Sequence, residues 1–288
     1  MSELVYLNGK LVPREEARIA ALDYGFLYGY GLFETMRAYR GRVFRLEQHI
    51  GRLVRSAGRL GITVDAARLG DAVGQALEAN HLRDARLRLA VSAGEGSPVP
   101  DPATCTRPTV LVVAVPFTPL PEGIYRRGYR AITASLRRNS RSPLASMKSA
   151  SYLESLLARQ EARLAGVDEA LVLNERGLVA EASMSNVFVV RAGGLLTPGR
   201  DSGILPGVTR QVVLELAGEV GLAVAEVDIT PEELVTADEA FLTNSVLELM
   251  PLVEVDGRPV GAGVPGGVTG RLVAAYRGLV ARETGGAG

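Results

Sequence analysis

The chain has 288 residues, with 32 basic against 32 acidic side chains and a single cysteine. The balanced charge argues against a nucleic-acid platform, which usually carries a basic excess. One cysteine allows no internal disulfide, and no apolar run reaches the roughly 18 residues of a membrane span. We therefore expect a cytoplasmic protein with neither a nucleic-acid nor a membrane partner.

The first part of the chain mixes strand and helix patterns. Residues 4–12 alternate around Asn8-Gly9 and predict a β-hairpin. Glycines 25, 29 and 31 predict a flexible, tightly packed loop. Apolar residues at helical spacing predict two helices, at 46–60 and 65–80. Further strands are predicted at 32–39, 86–94 and 109–117.

A composition break at residues 118–123 contains two prolines and a glycine and predicts an interdomain linker. Beyond it, the pattern predicts strands at 129–136, 169–174, 186–191 and 240–245, and helices at 151–165, 208–220 and 267–283. We therefore predict a mixed α+β chain of two domains. The smaller covers residues 1–117, and the larger, covering residues 124–288, carries Lys148.

The choice of basic residue is unusual. Thirty of the 32 basic residues are arginine, and the two lysines are Lys10 and Lys148. An amine can lose its proton and attack a carbonyl group, which a guanidinium effectively cannot do. Lys10 lies in the predicted hairpin, where survival by chance explains it. Lys148 lies mid-chain before a predicted helix, and a leftover surface lysine is the alternative to a chemical role.

Six segments in order resemble the fold-type IV pyridoxal-phosphate enzymes. This family includes branched-chain and D-amino acid aminotransferases and 4-amino-4-deoxychorismate lyase. The resemblance runs from Val5 to about Tyr276 and implies a two-domain fold, a cofactor site between the domains and a homodimer. The segments are DYGFLYGYGLFETMR, RLEQHIGRLVRSA, MKSASYL, LVAEASMSNVFVV, GILPGVTR and ADEAFLTNSVLELMPL.

The resemblance implies roles around the ring of pyridoxal 5′-phosphate. Lys148 aligns with the lysine that holds the cofactor as a Schiff base and later moves protons. Glu181 aligns with the acid facing the pyridine nitrogen, where a carboxylate favours the protonated ring. Tyr152 resembles the tyrosine that hydrogen-bonds the phenolic oxygen, and Leu205 resembles the residue packed under the ring. Ala182 departs from the family, which usually has glycine there.

The resemblance also implies the contacts of the cofactor phosphate. Arg52 resembles the phosphate arginine of the first domain. A helix start at 207–209 offers backbone N–H groups and a hydroxyl, although a plain N-cap explains the same pattern. The residues implied there are Gly207, Val208 and Thr209, and a second turn adds Asn244 and Ser245. No metal is implied.

The predicted substrate-binding residues lie on a helix-to-strand segment and on the next strand. Strand alternation would place Phe33, Thr35 and Arg37 on one face, and Tyr28 precedes them. Arg86 and Arg88 share a face of the next strand, and either could take a substrate carboxylate. For each arginine, pairing with a surface acid is the alternative.

Three details favour the lyase branch, which cleaves 4-amino-4-deoxychorismate to 4-aminobenzoate and pyruvate in folate biosynthesis. They are Thr35 as a catalytic threonine, the Thr243-Asn244-Ser245 turn and the segment 91–96. The alternative is a class IV aminotransferase for branched-chain L-amino acids, D-amino acids or (R)-amines. An RNA-binding module, suggested by the arginines, is disfavoured by the zero net charge and the few aromatic residues.

Overall fold

The computed structural model describes residues 3–285, and these form two compact units. The first unit includes the described chain through Thr118, the short segment Met147–Tyr152 and the described end from Val280. The second unit is formed by Pro119–Ser146 and Leu153–Leu279. Each unit has its own sheet and its own apolar core.

The first unit is built on a six-stranded antiparallel sheet in the order β2-β1-β6-β5-β3-β4. Three helices accompany the sheet: α1 (Tyr24–Tyr28), α2 (Leu46–Arg59) and α3 (Ala66–Ala79). The strands are β1 (Leu4–Leu7), β2 (Lys10–Pro13), β3 (Gly31–Tyr39), β4 (Arg42–Val43), β5 (Ala85–Ser92) and β6 (Thr109–Pro116).

Local sequence explains how these elements start and pack. Asn8 and Gly9 have φ angles of 49° and 91°, which suits the two-residue hairpin turn between β1 and β2. Asp65 caps α3 by accepting from the N–H groups of its first turn. Ile50 and Leu53 on α2 are buried in the core against the sheet. Burying each such side chain contributes about 1.5–3 kcal/mol.

The second unit is built on a nine-stranded mixed sheet in the order β12-β11-β10-β13-β14-β7-β8-β9, with β15 paired to β14. The strands are β7 (Tyr129–Arg138), β8 (Glu169–Asn174), β9 (Val179–Ala182), β10 (Asn186–Arg191), β11 (Gly194–Thr197), β12 (Val224–Glu226), β13 (Glu239–Asn244), β14 (Glu248–Val255) and β15 (Arg258–Pro259). The helices are α4 (Glu122–Arg127), α5 (Leu153–Leu164), α6 (Val208–Glu219), α7 (Pro231–Val235) and α8 (Gly267–Glu283). Within residues 3–285, no helix has the length and apolar character needed to cross a membrane.

The structure differs from the predicted organisation in three places. Met147–Tyr152, with Lys148, belongs to the first unit rather than to the C-terminal domain, because its main chain hydrogen-bonds to β3. α4 begins inside the predicted linker at residues 118–123. The predicted glycine loop contains α1, which ends at Gly29 in a left-handed conformation with φ 64°.

Candidate functional site

Lys148 is held against β3 by main-chain hydrogen bonds. The Phe33 N–H donates to the carbonyl of Lys148 at 2.9 Å, and the Ala150 N–H donates to the carbonyl of Gly31 at 2.8 Å. Lys148 Nζ lies 4.7 Å from the centroid of the Phe33 ring and 5.5 Å from that of Tyr152. The two rings meet edge to face at 5.1 Å. Lys148, Phe33 and Tyr152 therefore form one cluster, the lysine cluster.

Tyr152 reaches this cluster from extended chain rather than from a helix. The sequence spacing suggested a position one helical turn after Lys148, but α5 begins only at Leu153. The Tyr152 N–H donates to the carbonyl of Ala150 at 2.8 Å, which turns the chain back before the helix. Tight local bonding thus replaces the helical spacing and still brings Tyr152 beside the lysine.

The alternation predicted for β3 is confirmed by the strand register. Thr35 pairs with Arg88 and Arg37 pairs with Arg86 across the antiparallel ladder. Paired residues point to the same face of a sheet, so these four side chains share the face that carries Phe33. On the opposite face, alternate β3 residues such as Met36 are fully buried in the core.

The arginines on this face have different surroundings. The Arg88 guanidinium lies 3.9 Å from the centroid of the Phe33 ring, next to the lysine cluster. Burial and the neighbouring charge of Arg86 both lower the pKa of Arg88. Arg37 is buried between two rings, 4.3 Å from the Tyr39 centroid and 4.5 Å from the Phe117 centroid. Arg88 is therefore the arginine placed beside the lysine cluster by its ring contact, whereas Arg37 packs within the unit.

Tyr28, the remaining residue predicted to bind substrate, lies on α1 and is 44% exposed. Its ring packs edge to face against Tyr24 at 4.9 Å. Its hydroxyl donates to the carbonyl of Pro98 at 3.3 Å. The structure therefore gives Tyr28 local partners on α1 and in the 93–101 loop, apart from the Phe33 face.

The core face of β3 carries a buried charged trio that the sequence did not reveal. The Glu34 carboxylate accepts from Arg52 Nε at 2.8 Å and from Arg52 Nη2 at 2.6 Å. It also lies 2.7 Å from His49 Nδ1. Burial raises the pKa of Glu34, but the charge of Arg52 and the hydrogen bonds from His49 and Arg52 outweigh it and lower that pKa to about 2. Burial lowers the pKa of His49, so a neutral imidazole donates to the carboxylate.

This trio predicts a specific loss of stability in acid. Because the folded-state pKa of Glu34 is lowered from 4.5 to about 2, its contribution is present above pH 4.5 and is lost as pH falls toward 2. One pKa unit corresponds to about 1.4 kcal/mol, so the expected contribution is on the order of 3 kcal/mol. Urea unfolding of the protein and of Glu34→Gln between pH 2 and 6 measures it. A stability difference between the two proteins that does not shrink with acid would contradict the assignment.

Glu181 in the second unit is buried on β9, and both carboxylate oxygens have partners. Oε1 accepts from Arg138 at the end of β7. Oε2 accepts from Asn186 Nδ2 at 3.0 Å and from the Leu205 N–H at 2.9 Å. A charge-assisted pair with arginine favours the ionised carboxylate. The fold thus holds a negative charge in a fixed direction at this position.

Leu205 and Gly207 belong to the same network through their main chains. Asn186 Nδ2 also donates to the carbonyl of Leu205 at 2.9 Å. Gly207 is the N-cap of α6, with φ −68°, a value that any residue tolerates. A Cβ at Gly207 would lie 2.1 Å from Asn186 Oδ1, so glycine is required by close approach rather than by backbone conformation.

The predicted phosphate residues of the second unit lie at two turns. Val208 and Thr209 form the buried first turn of α6, where backbone N–H groups lack helical partners. The Asn244 side chain closes the turn before β14, since its Oδ1 accepts from the Val246 and Leu247 N–H groups. Its Nδ2 donates to Ser185 Oγ at 2.9 Å, and Ser245 follows at the turn. Asn244 therefore has a structural role in shaping this turn.

Sequence reasoning overlooked four supporting residues: Glu34, His49, Arg138 and Asn186. Arg138 was expected on the surface or beside a local acid, and the second of these is what the structure shows. His49 precedes Arg52 by three residues on α2, a spacing that places both on one helical face. That spacing, with an acid on the neighbouring strand, is the signal that could have indicated the trio.

Comparison with known proteins identifies the family. Residues 31–255 match the profile of the family described as amino-transferase class IV. The chain belongs to this family. The predicted family is thereby confirmed.

Individual relatives cover nearly the whole chain. It is similar to a Methanocaldococcus jannaschii protein named for branched-chain-amino-acid aminotransfer, with 43% identity over 93% of each chain. It is also 37% identical to the aminodeoxychorismate lyase of Bacillus subtilis, over 88% of this chain and 87% of that one. A branched-chain amino acid aminotransferase from T.th., solved with pyridoxamine 5′-phosphate, superimposes with a TM-score of 0.92 and 34% identity, covering 97% of this chain and 94% of the other. The predicted two-domain α+β fold is confirmed.

The predicted cofactor, pyridoxal 5′-phosphate, is also confirmed by this membership. The chemistry of the described residues fits it. The first unit offers an amine between two aromatic rings and a buried arginine. The second offers a fixed carboxylate and the amide-rich start of α6. The predicted lyase activity is supported less well than the aminotransferase alternative, because most relatives are named as aminotransferases.

Proposed function

We propose that this protein is an aminotransferase that moves an amino group from an amino acid to a 2-oxo acid, with branched-chain L-amino acids as its main substrates. The observation that carries the proposal is the placement of Lys148 Nζ against Phe33 and Tyr152, beside Arg88. The relatives named for branched-chain substrates support the substrate class.

Lys148 would do the proton chemistry. The bound cofactor supplies an electron sink for charge that develops at the carbon bearing the amino group. Lys148 Nζ, displaced by the substrate amine, removes the proton from that carbon and returns it at the cofactor carbon. The Phe33 and Tyr152 rings cover the amine and reduce the access of water. The Tyr152 hydroxyl would donate to the phenolic oxygen of the cofactor.

The remaining predicted residues would bind and orient the cofactor. Glu181, kept ionised by Arg138, would hold a proton on the pyridine nitrogen and so strengthen the electron sink. Arg52 would give the phosphate a charge-assisted contact. The N–H groups of the first turn of α6 would donate to the same anion, aided by the helix dipole. Leu205 would pack under the ring.

Arg88 would bind the substrate carboxylate, because its ring contact places it beside the lysine cluster. Arg88→Met is expected to raise KM for both the amino acid and the oxo acid about ten- to a hundredfold, as a lost hydrogen bond to a charged group costs about 1.5–3 kcal/mol. Steady-state kinetics with L-leucine and 2-oxoglutarate measure this.

The matched control for this experiment is Arg127→Met. That arginine pairs with Asp168 on the surface of the second unit at 2.8 Å. Its loss should leave KM unchanged. An unchanged KM for Arg88→Met together with a raised KM for Arg86→Met would transfer the carboxylate role to Arg86.

A second candidate is aminodeoxychorismate lyase, and Thr35 is the observation that favours it. Thr35 shares the Phe33 face of β3 and pairs with Arg88 in the sheet. A hydroxyl there could donate a proton to the departing pyruvate enolate while Lys148 removes the ring proton. The 37% identity with the B. subtilis lyase supports the same candidate.

One comparison separates the two functions. The protein is incubated with 4-amino-4-deoxychorismate, and 4-aminobenzoate and pyruvate are measured. In parallel, conversion of the bound cofactor to its amine form is followed by absorbance with L-leucine, L-glutamate, D-alanine and an (R)-amine. Rapid conversion with L-leucine and no 4-aminobenzoate is the expected result. Efficient release of 4-aminobenzoate with negligible conversion by amino acids would overturn the proposed function.

A further inference from the structure

Glu34 is fully buried, and it lies directly between the residues that hold Lys148 and the proposed phosphate arginine. Its neighbour Phe33 bonds the main chain of Lys148 on one side of β3. On the other side, the Glu34 carboxylate binds Arg52 and His49 of α2. A single strand residue thus connects α2 to the strand that carries the lysine segment.

Stability alone does not explain such a group. Taking an ion pair out of water costs several kcal/mol per ion, and apolar replacements of buried pairs are often neutral or stabilising. The Glu34–Arg52 contact is bidentate, which fixes the plane of the guanidinium as well as its position. The His49 bond holds the carboxylate itself in one orientation. The arrangement restricts the direction in which Arg52 can present its donors.

We propose that Glu34 is a positioning residue that orients Arg52 toward the cofactor phosphate and keeps it in register with the Lys148 segment. This inference rests on the proposed function, in which Arg52 binds the phosphate. Glu34 acts through Arg52 and touches neither cofactor nor substrate. His49 completes the device as a neutral donor to the same carboxylate.

The sign of the effect distinguishes positioning from simple charge. A buried negative charge near Arg52 weakens the attraction of Arg52 for an anion, so removing it should tighten phosphate binding if charge alone mattered. If orientation dominates, Glu34→Gln should weaken binding instead. We expect about tenfold weaker pyridoxal 5′-phosphate binding, the scale on which removal of an orienting partner affects a ligand site.

The test compares pyridoxal 5′-phosphate with pyridoxal, which lacks the phosphate, by absorbance titration of the cofactor-free full chain. Glu34→Gln should weaken only the phosphorylated ligand. In an Arg52→Met background, Glu34→Gln should have no further effect on either ligand. Asp23→Asn, another buried carboxylate of the first unit bonded to Ser92 and Thr109, is the control for general destabilisation. It should leave the ratio of the two affinities unchanged.

Each outcome has a distinct meaning. Unchanged or tighter phosphate-ligand binding by Glu34→Gln, or equal weakening of both ligands, would overturn the proposal for Glu34. Unchanged binding by Arg52→Met would instead remove the phosphate role of Arg52 and the inference with it. Neither result bears on whether the unchanged protein transaminates L-leucine, so failure of the proposed function would be recognised separately.

Discussion

Replacing Lys148 with alanine is expected to abolish aminotransfer and the cofactor absorbance near the visible edge. The amine is the only group proposed both to hold the cofactor and to move the substrate proton, and general acid–base catalysis alone contributes about 10²–10⁴-fold. Loss of both roles should lower kcat by at least that factor. Lys148→Arg should be as inactive as the alanine variant, because a guanidinium keeps the charge but not the nucleophile. Absorbance spectra and single-turnover assays measure the two effects.

The chain supplies its own control for this experiment, since Lys10 is the other of its two lysines. Lys10 is an exposed residue at the start of β2. Lys10→Ala should keep the spectrum and the rate of the unchanged protein. A Lys148→Ala variant that retains both the absorbance and turnover would remove the central residue of the proposed mechanism.

Replacing Glu181 with glutamine is expected to lower kcat about 10²–10³-fold, the scale on which loss of one preorganised electrostatic group slows an enzyme. The amide keeps the shape of the side chain but removes the negative charge that would hold a proton on the pyridine nitrogen. Cofactor should still bind, because its phosphate contacts remain. Steady-state kinetics and the spectrum of the bound cofactor measure the outcome.

Glu169→Gln is the matched control in the same unit. Glu169 is 1% exposed on β8 and accepts from Ser183 and the Ala170 N–H. Burial raises the pKa of Glu169, which favours the neutral form, so a neutral amide should be tolerated there. A Glu181→Gln variant with the kcat of the unchanged protein would show that the carboxylate near Arg138 serves the fold rather than the chemistry.

Local patterns were sufficient for most of the secondary structure. The Asn8-Gly9 turn, the apolar face of α2 and the alternation in β3 each depend on residues close in sequence. Spacing along a strand or helix determines which side chains share a face, so the grouping of Phe33, Thr35 and Arg37 was predictable. The motif order also identified the family, because each short segment is weak but their order is specific.

Long-range pairing was not predictable in the same way. Lys148 is near the second unit in sequence, yet its main chain hydrogen-bonds to β3, more than 100 residues earlier in the chain. Glu34 resembled an ordinary strand acid, and only the packing of α2 on β3 brings Arg52 and His49 to it. Arg138 resembled a surface residue until the pairing of β7 with β8 and of β8 with β9 brought it to Glu181.

The sequence by itself therefore determined the family, the cofactor, the residue types of the chemistry and most element boundaries. These properties follow from side-chain chemistry and local periodicity. The tertiary structure alone decided which charges are buried together and which groups orient the proposed site residues. Those depend on hydrogen bonds and packing between distant segments, which local sequence does not encode.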